Sequence, residues 1–222
     1  MSSIQAVLFD FDGTLADTLP LSFKAFRAVF MKYEGKTLTD AEIVQTFGPT
    51  EEEIITENLS NPAHVDEAVA YYYEVFEKDF QKHIQVSEAI QDLISKLWDL
   101  HKPMVIITGK SRRCLDICLR NLELDGFFAA TITGDEVERS KPDPEGIFKA
   151  VQLLGLSTSD VVFVGDSDAD IAAGKSAQVL TIGAHWFDTV QNVEFSVEPD
   201  DIYTRPDQLI ALVMGQGNGA SE

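Results

Sequence analysis

Short apolar runs alternate along this chain with longer stretches whose apolar positions recur at helical spacing. Five runs stand out: Ala6-Val7-Leu8-Phe9, Met104-Val105-Ile106-Ile107, Ala129-Ala130-Thr131-Ile132, Val161-Val162-Phe163-Val164 and Val179-Leu180-Thr181-Ile182. They show little alternation with polar residues, as expected of strands covered on both faces. Helical patterns fall at 87–100, 111–122, 144–154 and 168–176. The alternation predicts an α/β fold with a Rossmann-like parallel sheet core.

Residues 17–84 break the rhythm. They hold no convincing buried strand, but four helical stretches near 20–33, 39–46, 50–59 and 63–82, punctuated by Gly35, Gly48-Pro49 and Asn61-Pro62. An all-helical cap inserted after the first strand is the expected organisation. The core is then 1–16 plus 85–214, the cap 17–84, and the glycine-rich 215–222 a disordered tail. A length of 222 residues suits one core domain carrying an insertion. With 45% hydrophobic and 24% charged residues, a packed core is expected rather than disorder.

The formal net charge of -20 argues against nucleic acid as a partner, because phosphate backbones are recruited by clustered Lys and Arg. The same field repels small anionic substrates, so an enzyme for them needs local cations. No apolar stretch approaches the roughly 18 residues of a membrane span, and no secretory signal pattern opens the chain. Cys114 and Cys118, four apart on one helical stretch, read as reduced packing thiols. A cytoplasmic protein without a membrane partner is expected.

In open α/β sheets ligands bind beyond the carboxyl ends of the strands. There the first run delivers Asp10-Phe11-Asp12-Gly13-Thr14, the second Thr108-Gly109-Lys110-Ser111, and the fourth Gly165-Asp166-Ser167-Asp168-Ala169-Asp170; Ser140-Lys141-Pro142 precedes the fourth. Each segment alone has a plain structural reading: a turn, a helix N-cap, a solvated lysine. Their placement, each after its own apolar run, favours a site. Asp10 and Asp166 at one rim would repel without a cation, and hard carboxylate oxygens suit Mg²⁺. For substrate contacts the turn Phe47-Gly48-Pro49-Thr50, with Gly48 at its centre, and Lys110 are candidates. Lys24, Arg27 and Lys32 read as solvated surface, and Tyr71-Tyr72-Tyr73 as packing.

With these motifs the sequence resembles the haloacid dehalogenase-like hydrolase superfamily, from Val7 to about Val213, and within it the phosphoglycolate phosphatase group with a C1 helical cap. The resemblance implies a Mg²⁺-dependent phosphatase for a small phosphorylated metabolite. Asp10 would be the nucleophile forming an aspartyl-phosphate, and Asp12 the acid/base, its backbone carbonyl also on the metal. Thr108 and the Gly109 amide would hold phosphoryl oxygens. Lys141 would pair with nucleophile and phosphate, Asp166 would complete the metal site, and Asp170 would support it from behind. The acid at position 12 favours phosphoryl transfer over dehalogenation, since a halide leaves without a proton. Inorganic pyrophosphate is the alternative substrate. A sugar phosphomutase is disfavoured, as no histidine follows the first motif before His64.

Overall fold

The computed structural model describes residues 4–84, 86–189 and 194–215. Its strands are β1 (Ala6–Phe9), β2 (Met104–Ile107), β3 (Ala130–Ile132), β4 (Val161–Gly165), β5 (Leu180–Ala184) and β6 (Asp201–Tyr203). The helices are α1 (Leu19–Glu34), α2 (Asp40–Val44), α3 (Glu51–Asn58), α4 (Val65–His83), α5 (Glu88–Asp99), α6 (Arg112–Asn121), α7 (Glu145–Leu154), α8 (Asp168–Ser176) and α9 (Pro206–Val213).

All strands pair in parallel, in the order β3-β2-β1-β4-β5-β6. The period-2 geometry of a strand splits each run between two faces. Val7 and Phe9 of β1 join a core with α5, α6 and α9, while Ala6 and Leu8 join a second core with α7 and α8. Helices on both faces are why the central runs are apolar throughout. The chain builds outward from β1 to β3 in one direction and from β4 to β6 in the other. The crevice of such a sheet opens where that direction reverses, at the carboxyl ends of β1 and β4.

The segment between β1 and β2 opens with α1 to α4, and the long α1 and α4 pack together. Their contact is aromatic: the Phe26 and Tyr72 ring centroids are 4.7 Å apart, and Tyr72 stacks on Phe76 at 5.9 Å. Tyr72 is therefore packing, as expected. Cys114 and Cys118 are buried free thiols on α6.

Three expectations are corrected. The sheet has a sixth strand, β6, at an edge; only Tyr203 of its three residues is buried, so no apolar run announces it. The α9 helix, opened by Pro206 after β6, was not expected as an element. And β3 is a half-buried edge strand rather than one covered on both faces. Of the expected tail, residues 216–222 lie outside the described residues. No described helix is long and apolar enough to cross a membrane.

Candidate active site

The Asp10 N–H donates to the Val164 carbonyl at 2.9 Å, extending the β1–β4 ladder one residue beyond β1. The chain then turns sharply. The Phe11 carbonyl accepts from Leu15 N at 2.9 Å and Ala16 N at 3.1 Å, and Gly13 N donates to the Ala16 carbonyl at 2.9 Å. Gly13 adopts φ +76°, and a Cβ there would lie 2.2 Å from Asp166 Oδ2. Glycine is thus required both for the left-handed backbone and for the approach of the β4 segment. Asp10 and Asp12, on either side of the start of this turn, both reach the wall of one cavity of about 330 Å³.

Lys141 Nζ lies 2.6 Å from Asp10 Oδ1, 2.6 Å from Asp170 Oδ1 and 3.3 Å from the Ile107 carbonyl. Burial, and next the Asp170 carboxylate, push Asp10 up to about 7 against the lowering pull of Lys141. Burial works against the Lys141 charge, but Asp10 and Asp170 outweigh it and hold the ammonium above its ordinary value. Asp170 commits both oxygens to protein donors: Oδ1 to Lys141, Oδ2 to the Ser167 hydroxyl at 2.5 Å and the Ser167 N–H at 3.1 Å.

At the end of β2, Thr108 and Gly109 line the cavity, and Ser111 caps α6 by accepting from Cys114 N at 3.2 Å. Lys110 points inward. Its buried ammonium lies 3.1 Å from Asp12 Oδ1 and 3.4 Å from Glu51 Oε1. Burial lowers the Lys110 pKa and Asp12 is the foremost group raising it; the net shift is upward. Asp12 also accepts from the Thr18 hydroxyl. Glu51, at the start of α3, takes the Ser111 N–H on Oε2 at 2.9 Å, and the Tyr73 hydroxyl of α4 meets Ser111 Oγ at 2.8 Å. These contacts fasten the inserted helices to the sheet beside the cavity.

Asp10, Asp12, Gly48, Thr108, Gly109, Lys110 and Lys141 all line this cavity. Asp166 and Asp170 are fully buried and are not among its lining residues. Lys24, Arg27 and Lys32 do not line it: Lys24 pairs with Asp79 at 2.5 Å, Arg27 holds Asp40, and Lys32 sits 4.1 Å above the Tyr71 ring centroid. Glu51 and Thr18 were not foreseen. Thr50 and Glu53 form a capping box at the start of α3, and Glu51 between them is buried.

Asp10, Asp166 and Asp170 are all buried, with carboxylate oxygens within 4.8 Å of one another. Hard oxygen donors at this spacing could hold Mg²⁺. Of the three, Asp10 is held by Lys141, and Asp170 by Lys141 and Ser167.

A parallel sheet with its direction change at β1, an Asp-x-Asp turn there and a lysine on the first aspartate set acids and a cation together at the crevice. Residues 7–184 match the family model described as haloacid dehalogenase-like hydrolase, and the chain belongs to that family. It is a phosphatase of the family. It is 33% identical over 211 residues to pyrophosphatase PpaX of Listeria monocytogenes, covering 95% of this chain and 96% of that one. It is 30% identical over 213 residues to pyrophosphatase PpaX of Anoxybacillus flavithermus, covering 95% and 97%. A crystal structure from Lactobacillus plantarum, assigned provisionally as a phosphoglycolate phosphatase, superposes with a TM-score of 0.78 at 26% identity, covering 95% and 99%.

Proposed function

We propose that the chain is a magnesium-dependent phosphatase that hydrolyses a small phosphate monoester through an aspartyl-phosphate on Asp10. The observation that carries this reading is the pairing of two acids with two ammonium groups around one cavity, Lys141 at 2.6 Å from Asp10 and Lys110 at 3.1 Å from Asp12. An Asp10 oxygen attacks phosphorus as the bond to the leaving oxygen breaks, and Asp12 gives that oxygen a proton. Asp12 then takes a proton from water, whose oxygen attacks phosphorus and breaks the bond to Asp10, releasing inorganic phosphate. Lys141, the Thr108 hydroxyl and the Gly109 N–H meet the charge on the phosphoryl oxygens.

Asp10, the Asp12 carbonyl and Asp166 would hold Mg²⁺, with Asp170 fixing the site through Lys141. When bound, the ion neutralises these acids and draws in the anionic phosphate, which the net charge of -20 would otherwise repel. Residues 17–84 act as the cap, with Gly48 and Lys110 on the leaving-group side.

Inorganic pyrophosphate is the second reading. It is favoured by the pyrophosphatase names of the two relatives and by Lys110, a buried cation suited to an anionic leaving group. Phosphate release from an ester panel that includes phosphoglycolate and pyrophosphate ranks the two. EDTA is expected to abolish turnover, and metal-independent turnover would sink the magnesium assignment. Asp10→Asn is expected to lower kcat by several orders of magnitude; near-normal turnover would refute the covalent route. A product that is an isomerised sugar phosphate rather than free phosphate would mark a mutase.

A further inference from the structure

The turn that carries Asp12 is anchored from far away in the chain. Trp186 follows β5, and its indole Nε1–H donates to the Thr14 carbonyl at 2.8 Å across a separation of 172 residues. Thr14 is fully buried. The rest of the turn closes on itself, through the Phe11 carbonyl and the bond from Gly13 N to Ala16 O. The bond from Trp186 instead ties the turn to the far half of the sheet.

Gly13 makes that anchor matter. It separates Asp12 from Thr14 at φ +76°, and glycine is the residue whose backbone reorients most freely. An anchor on Thr14 restricts the swing that Gly13 allows. Asp12 must place its proton on the leaving oxygen, where a displacement of about 1 Å can cost 100-fold in rate. Indole offers one donor and no acceptor, so this side chain can make no other hydrogen bond at its ring nitrogen.

We infer that Trp186 is a positioning residue for Asp12, acting through the Thr14 carbonyl. The inference rests on the proposed phosphatase reading, in which Asp12 protonates the leaving group. Leaving-group dependence of kcat/KM separates the two, because that ratio covers the steps up to departure of the leaving group. An alkyl phosphate needs the proton; p-nitrophenyl phosphate departs without one. Asp12→Asn is expected to lower kcat/KM far more for the alkyl ester than for the nitrophenyl ester.

Trp186→Phe is expected to show the same split in weaker form, roughly 10- to 100-fold for the alkyl ester and within about threefold for the nitrophenyl ester. Equal losses on both esters in Trp186→Phe, with the split intact in Asp12→Asn, overturn the positioning role and leave the phosphatase reading standing. No split in Asp12→Asn overturns both. A second measurement serves if Trp186→Phe does not fold. The chain has 2 tryptophans, so in Trp98→Phe protein excited to the red of the tyrosine band Trp186 alone emits. Adding Asp12→Asn is then expected to shift that emission; an unchanged spectrum overturns the coupling.

Discussion

The ammonium of Lys110 stands 3.1 Å from a carboxylate oxygen of Asp12, although one residue follows β2 and the other follows β1. Glu51 closes the group from the inserted helices, 3.4 Å from the same nitrogen. Removing one member of such a buried set strands another. Glu51→Ala is expected to destabilise the protein by about 3 kcal/mol, leaving Ser111 N–H without its acceptor and Lys110 with one carboxylate fewer. Urea unfolding of Glu51→Ala, Lys110→Met and the double variant tests this. The double variant should cost less than the sum of the singles, and strict additivity would show that the two side chains are uncoupled.

Asp10→Asn should have opposite effects on catalysis and on metal-free stability. Burial, and next the Asp170 carboxylate, push Asp10 up to about 7 in the fold from 3.8 ordinarily, so between those values the folded state holds a proton that the unfolded state has lost. Stability contributed through this group therefore falls as pH rises across that window. In EDTA, Asp10→Asn is expected to melt above the wild type near pH 8, with the advantage shrinking toward pH 4. An advantage that grows on acidification would contradict the burial argument.

Gly13→Ala should be severe for its size. The new methyl meets Asp166 Oδ2 at 2.2 Å, on a backbone with φ +76°. A stability loss of about 1–3 kcal/mol and a fall in kcat of more than roughly 100-fold are expected. Calorimetry with a phosphate-release assay reads both, and a near-silent variant would show that the turn can open without consequence.

Glu145 holds the loop that presents Lys141. Its carboxylate accepts from Glu138 N at 2.9 Å and Arg139 N at 3.1 Å and pairs with Lys149 at 2.7 Å. Lys149, then the Glu138 amide, hold Glu145 down at about 2. A depressed acid contributes stability above its unfolded value of 4.5, and that contribution is lost as pH falls through about 2. Glu145→Gln should therefore melt below the wild type at neutral pH and converge with it near pH 2. Hydrogen exchange at the 138 and 139 amides should quicken at neutral pH, and unchanged exchange would separate Glu145 from the loop.

Much of this was legible in sequence because the information is local. The runs at 6–9 and 104–107 coincide with β1 and β2, since strands covered on both faces have no polar positions to blur them. The edge strand β6 escaped notice because Asp201 and Ile202 face solvent and leave one buried position. The candidate site acids could be found because they follow two apolar strands, Asp10 and Asp12 after β1 and Asp166 and Asp170 after β4. Glu51 and Trp186 could not, since what turns them inward is the packing of distant segments. A tryptophan placed just after a buried strand does carry one signal: its N–H needs an acceptor.

The order of synthesis meets an obstacle in the strand arrangement. Among the described strands β1 leaves the ribosome before its partners, yet it lies inside the sheet, with β2 on one side and β4 on the other. Until residues 161–165 emerge, one whole edge of Ala6–Phe9 has no backbone partner. That edge is apolar and unprotected, the kind that pairs with other chains. The nascent chain therefore carries an aggregation hazard at Ala6–Phe9, and a ribosome-bound fragment ending before residue 161 should need chaperone cover that the finished protein does not.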